Sequence, residues 1–261
     1  MNQDKEEEIK RIKRGLSWVE IKNALQAEGC FICTIVKKSV IKYFGNILHE
    51  YALDADVHRK VISSSGLCNT HTQIIMELKK KRSDGLSIAS LFETSLHKEI
   101  RILGEVEDIK YKKRTNDIAG IKSKNDLRNY KNQINEILIP TGKCAGCEQE
   151  EFTESFYTHE SLRLWKDREF GKLYESQKIM LCRSHFINMI SEAENIEVIS
   201  YFIGVQKNKL DKLNFLLSEF IRKHDYRYQK EMTDEDVGSW SALLEYLGSK
   251  KDVRRKDYIN N

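Results

Sequence analysis

Apolar residues recur at helical spacing along almost the whole chain. Ile9, Ile12 and Leu16 keep one face apolar, and Trp18, Ile21 and Leu25 continue it. This predicts a helix over residues 4–27, with Ser17 and Glu20 spaced as a capping box where it restarts. From Thr34, the series Val36, Val40, Tyr43, Phe44, Ile47, Leu48 and Tyr51 predicts a strongly amphipathic second helix. Ile74, Ile75 and Leu78 predict a helix over 70–81, and Ile88, Leu91, Phe92, Leu96, Ile100 and Leu103 a long one running toward 107. Further helices are expected over 148–165, 184–193 and 196–224, the last with a heavy stripe that includes Phe202, Leu213, Leu217 and Phe220. Val237, Trp240, Leu243, Leu244 and Leu247 predict a closing helix over 234–247, with Gly248 as its C-cap. A single proline, Pro140, agrees with an all-α fold.

Laid over these helices is a duplicated constellation. Cys30, Cys33, Cys68 and His71 have counterparts 114 residues on at Cys144, Cys147, Cys182 and His185, so the pattern C-x2-C-x34-C-x2-H occurs twice and uses all 6 cysteines. Two intervening residues let one short turn present both side chains to a single ion, and the distant pair closes the shell. Three thiolates and one imidazole suit tetrahedral zinc. An iron–sulfur cluster is the competing cofactor, because soft thiolates also suit iron and histidine can replace a cysteine. Disulfides fit CxxC and CxxH pairs less well, and no strand–helix–strand pattern surrounds either CxxC to support a thioredoxin-like site. Each half can close its own site, or the first pair of one half can join the second pair of the other; the identical internal spacing favours the first arrangement.

The duplication extends past the ligands. Tyr43 aligns with Tyr157, Leu48 with Leu162, Tyr51 with Trp165, Leu67 with Leu181 and Leu96 with Leu210, all at the same offset, which predicts shared core contacts behind each site. The resulting architecture is two pseudo-symmetric helical repeats, each pinned by a metal site, with a C-terminal helix. Residues 1–110 form the first repeat, 111–143 a basic connector, 144–248 the second repeat and 249–261 a charged tail. From Lys110 to Lys143, nine lysines and arginines face only Asp117, Asp126 and Glu136. The plain reading is a solvated linker or exposed helix. The sharper one is a phosphate-contacting surface in which Tyr111 and Tyr130 interleave with the cations, making nucleic acid a candidate partner. An unknown protein partner is the alternative.

Composition narrows the class. With 261 residues, 40% hydrophobic and 32% charged, the chain is long enough to bury a core. The formal charge of +4 falls to about +2 if two zinc ions are each held by three thiolates, too little to argue for nucleic acid by itself. No stretch reaches the length of a membrane span, and residues 1–10 are charged where a secretion signal would be apolar, so a cytoplasmic protein is expected.

Phosphate loops, nucleophile elbows and HExxH pairs are absent from the sequence, and four protein ligands leave no open metal position, so no catalytic residues are assigned. Asp54, Asp56 and His58 read as a capped loop, or as a polar site in which a carboxylate orients His71. His49, His97 and His159 are unpaired by spacing, and His224, Asp225 and Arg227 read as an ion-paired corner.

The lead-in Ala24-Leu25-Gln26-Ala27-Glu28-Gly29-Cys30, the phrase Gly66-Leu67-Cys68-Asn69-Thr70-His71, the run Lys223-His224-Asp225-Tyr226-Arg227, and the pairs Ser239-Trp240 and Leu247-Gly248 carry a resemblance. They are similar to an uncharacterised prokaryotic family with paired Cys-Pro-x-Cys and Cys-x-x-His halves, known as a domain of unknown function. It covers about Ser17 to Gly248. Phe31 and Ala145 stand where the family has proline. The resemblance implies a helical, metal-binding protein with no assigned reaction.

Overall fold

The computed structural model describes residues 15–81, 85–109, 121–176 and 180–248, and of residues 121–125 only the backbone. The described residues hold eleven α-helices and no strand. In order they are α1 (Leu16–Ala24), α2 (Phe31–Asn46), a π turn (Ile47–Tyr51), α3 (Ala55–Ser63), α4 (Asn69–Lys81), α5 (Leu86–Glu107), α6 (Ile121–Leu138), α7 (Ala145–Arg163), α8 (Arg168–Tyr174), α9 (Arg183–Glu192), α10 (Ile196–Arg222), a 3-10 turn (Gln229–Glu231) and α11 (Asp234–Leu247). The helices predicted from periodicity are present. Residues 4–14 of the first, the tail beyond 248, residue 110 and connector residues 111–120 lie outside the described residues.

The duplication is visible in the element order. The series α2 to α6 recurs as α7 to α11, with α7 and α9 starting 114 residues after α2 and α4. Within the basic connector, residues 121–138 are helical and occupy the place in the first series that α11 holds in the second. The two short helices α3 and α8 were hidden by their length, too few turns for an apolar stripe to show. Asp54 caps α3, accepting from the N–H groups of Asp56 and Val57, and Asp167 caps α8, accepting from Glu169 and Phe170. Asp54, Asp56 and His58 are therefore a capped helix start; the His58 ring bonds the Ala52 carbonyl and the Thr94 hydroxyl. The capping box expected at Ser17 and Glu20 does not form, because Ser17 donates to Glu160 instead. The genuine box closes α11 at Thr233 and Asp236.

Contacts divide the chain into two compact units that cut across its sequence halves. One comprises Met1–Lys38 with Phe152–Asn261, the other Ser39–Glu151. In the first, Phe31 is buried edge-on to Phe170 and Tyr174, and Trp18, Ile21, Leu181, Met189 and Phe202 complete an aromatic-rich core. In the second, Val40, Phe44, Ile47, Leu48, Val61, Ile75 and Leu91 pack together, and α3 lies on α5. Each fully buried side chain of this kind contributes about 1.5–3 kcal/mol.

Tyr43, Leu48 and Leu67 join the second core and Tyr157, Leu162, Trp165 and Leu181 the first, as the duplication predicts. Tyr51 and Leu96 are exposed, against that expectation. The buried positions of α5 are Leu91, Ser95 and Ile102, and Leu96 falls on the opposite side of the helix. His224, Asp225 and Arg227 form the expected corner: the Arg227 guanidinium grips Asp225, with Nη2 2.6 Å from Oδ2, and the His224 ring bonds the Phe220 carbonyl.

One buried cation gives the first unit a pH signature. Lys209 donates to the Tyr174 carbonyl and sits 4.3 Å above the Tyr174 ring centroid. Burial pushes its ammonium down to about 8, against a smaller opposing pull from Glu175. Between pH about 8 and the ordinary lysine value, the unfolded chain binds this proton and the native chain does not. Native stability attributable to Lys209 therefore rises with pH across that window and is flat below it. Relative to Lys209→Met, the wild type should gain roughly 2–3 kcal/mol between pH 7 and 11 in denaturant titrations.

Candidate metal centre

The four ligand pairs share one local design. Cys30, Cys68, Cys144 and Cys182 each immediately precede a helix, and their carbonyls accept the first helical N–H groups, from Thr34, Thr72, Glu148 and Phe186. The second ligand of each pair falls three residues on, in the first turn, on the side a capping residue faces. Helix N-termini carry partial positive charge, which favours thiolates there. The first helical position in the CxxC pairs is Phe31 and Ala145, a place that would accept proline at little cost. Gly29 leads into Cys30 with φ +87°, a left-handed conformation that favours glycine, and its carbonyl accepts the Met180 N–H at 3.2 Å. That bond brings the CxxC turn against the chain entering Cys182.

Two groups result, and both cross the sequence halves. Cys30 and Cys33 meet Cys182 and His185 in the first unit, while Cys68 and His71 meet Cys144 and Cys147 in the second; within each group the ligand atoms lie within 4.8 Å of one another. The within-half pairing that the spacing favoured is thus corrected. The reason lies in α2. His71 packs on Phe44, with ring centroids 5.8 Å apart, and Phe44 is about 16 Å of helix beyond Cys33. A single ion cannot span that distance.

In the first group, His185 Nδ1 lies 3.4, 3.3 and 3.1 Å from the sulfurs of Cys30, Cys33 and Cys182, and Cys33 and Cys182 are 3.8 Å apart. In the second, His71 Nδ1 lies 3.0, 3.5 and 3.7 Å from Cys68, Cys144 and Cys147, and Cys68 and Cys147 are 3.8 Å apart. All six thiols are free.

Each imidazole turns its other nitrogen to a glutamate. His71 Nε2 lies 3.4 Å from Glu150 and His185 Nε2 3.3 Å from Glu154, whose carboxylate also takes a 2.5 Å hydrogen bond from Asn188. Both glutamates come from α7, and their counterparts in the first half are Val36 and Val40, so the duplication breaks here. A metal on Nδ1 leaves the ring proton on Nε2, where a carboxylate fixes tautomer and ring orientation. Glu154→Gln should weaken metal binding at the first group about 10-fold or more, read by competition with a chromophoric chelator, while the second group stays unchanged as an internal control.

Within each group, protons are shared between the sulfurs and the imidazole. Burial opposes ionisation of His71, but the Cys144 sulfur and Glu150 hold it up to about 10; the Cys182 and Cys33 sulfurs and Glu154 likewise hold His185 up to about 11 against burial. Hydrogen bonds from Cys147 pull Cys144 down to about 3, and those from Cys30 and Cys33 drive Cys182 far below the ordinary thiol value. Burial pushes Cys30 well up, and Cys144 does the same to Cys147. A metal ion bound there would replace the protons these clusters share.

Of the remaining sequence candidates, His49 and His97 are exposed and belong to neither group, and His159 pairs with Glu192 at 3.4 Å. Glu150, Glu154 and Asn188 escaped the sequence reading. No helix among the described residues is long and apolar enough to cross a membrane.

The profile of a family described only as a family of unknown function, DUF6062, matches residues 12–237. No curated protein and no solved structure matches the chain.

Proposed function

The chain belongs to DUF6062, a family of unknown function, and we propose that it is a zinc-binding helical module whose two Cys3His sites are structural. Its work is binding or regulation. The geometry carries this reading. One zinc ion in a tetrahedron of three thiolates and an imidazole requires sulfur–sulfur edges of about 3.8 Å and sulfur–nitrogen edges of about 3.6 Å. The two groups offer sulfur–sulfur distances of 3.8 Å and sulfur–Nδ1 distances of 3.0–3.7 Å. An iron–sulfur cluster, the second reading, attaches its ligands to different irons and spreads them beyond the edges of one tetrahedron.

Four protein ligands close each site, so water has no open position from which zinc would activate it. Reduced thiols are required, which suits the cytoplasm. The partner is a protein in this reading. Nucleic acid, through Arg128, Lys131 and the neighbouring connector cations, is the second partner class, and such binding would fall steeply with salt.

Elemental analysis of anaerobically purified protein, with its visible spectrum, tests the assignment. About two zinc ions per chain and no visible band are expected; iron with acid-labile sulfide and a visible band would overturn it. On chelation, the helix starts at Cys30, Cys68, Cys144 and Cys182 should loosen first, because two apolar cores remain behind them. Hydrogen exchange should therefore rise at those turns before the far-ultraviolet helical signal falls. Simultaneous loss of both would refute the role of the cores.

A further inference from the structure

In the first unit, the end of α7 and the turn joining α9 to α10 line a cleft of about 470 Å³. That is the size of a small-molecule site, and none of its residues belongs to either cysteine–histidine group. Trp165 and Val198 supply apolar wall, and the rest is mostly charged. The charges do not cancel. Glu160, Glu192 and Glu194 face one guanidinium, that of Arg163, which leaves two negative charges with His159 counted as neutral. Glu160 is already satisfied, its Oε2 accepting from Ser17 Oγ at 2.6 Å and from Arg163 Nη2 at 3.2 Å. The other two carboxylates are not. Glu194 is exposed and makes no ion pair or hydrogen bond among the described residues. The Glu192 Oε2 atom is buried and accepts no hydrogen bond from a described residue, with His159 Nε2 standing 3.4 Å away. A buried acceptor left in this state favours a ligand that brings a donor.

We propose that the cleft binds an organic ammonium on an aliphatic stem, the ammonium against Glu192 and Glu194 and the stem against Trp165 and Val198. Three observations select this class. An anion at the start of α10 would meet a terminus already served by the chain, since Asn195 accepts from the Val198 N–H and Glu197 stands in the first turn. A metal ion would lack ligands, because among the described residues three or more ligand atoms converge only in the two cysteine–histidine groups. The indole of Trp165, finally, already attracts an ammonium. Lys166 Nζ lies 4.6 Å from its ring centroid, and Glu197, 3.3 Å from the same nitrogen, balances that charge. A free polyamine and a lysine side chain of another protein both present the required group.

Calorimetric titration of the metal-replete full chain at low ionic strength tests this, with spermidine and Nα-acetyl-lysine amide as probes, each raised to about 10 mM. One molecule of at least one probe should bind per chain. Glu192→Gln and Glu194→Gln should each weaken that binding at least about tenfold, with helical signal and metal content unchanged. Glu194→Lys, which brings a tethered ammonium to the cleft, should abolish it. Tighter binding of spermidine assigns a free polyamine. Tighter binding of the lysine derivative, lost when its ammonium is acetylated, assigns a protein side chain. No binding of either probe, binding indifferent to both glutamine variants, or a preference for magnesium or inorganic phosphate over both probes would each overturn the proposal.

Discussion

Cys33→Ser and Cys182→Ser, 149 positions apart, are expected to abolish the same metal ion. Each variant should hold about one ion per chain where the wild type holds about two, and the double variant should still hold one. By contrast, Cys33→Ser combined with Cys68→Ser should hold none, although both cysteines lie in the first sequence half. Pairing within halves predicts the reverse outcome for the two double variants, so metal counting separates the arrangements without further structure. The energetic stake is large. Structural zinc supplies on the order of 10–16 kcal/mol of apparent binding energy in small peptide models, and loss of one thiolate removes the closed shell on which that depends. Site loss in Cys33→Ser should be accompanied by weakened protection around Phe31 and Leu181, the core residues next to that group.

Gly146→Ala is expected to eliminate the second ion without removing any ligand. Gly146 lies between Cys144 and Cys147, and a Cβ there would stand 2.4 Å from both Cγ and Cδ2 of His71 and 2.8 Å from Nδ1. His71 is fully buried and packed on Phe44, so its ring has no space to retreat into. In an otherwise open helix the same change would stabilise by roughly 1 kcal/mol. The two considerations give opposite signs, and the steric one dominates because the added carbon overlaps a ligand. Thermal unfolding with metal analysis should show a lower midpoint and about one ion per chain. The corresponding position in the other half is Ile32, buried in the first core, so no equivalent close approach exists there.

The eight clustered cysteines and histidines were legible as candidate ligands because they stand at fixed short spacings, and an offset of 114 repeats for all four pairs. Helix positions were legible for a related reason: long apolar stripes such as that of α10 admit one period. The pairing was not legible, since two halves with identical spacing are interchangeable at every ligand. What decides it is the length of α2 and the packing of His71 on Phe44, a tertiary contact. Glu150 and Glu154 were hidden among Glu148 and Glu151 on the same helix, where four glutamates in seven residues look like an ordinary solvated face. Asn188 gave no signal at all. Helices α3 and α8 were missed because each is too short to show an apolar period, while their caps, Asp54 and Asp167, carry an N-cap signature that gains meaning only once the helix after it is recognised.

X-ray absorption at the metal edge of anaerobically purified protein tests the central claim most directly. One tetrahedral ion per group predicts a zinc edge and a first shell averaging three sulfurs at about 2.3 Å and one nitrogen at about 2.0–2.1 Å, with no metal scatterer beyond it. An iron edge with a nearby iron neighbour would contradict the account.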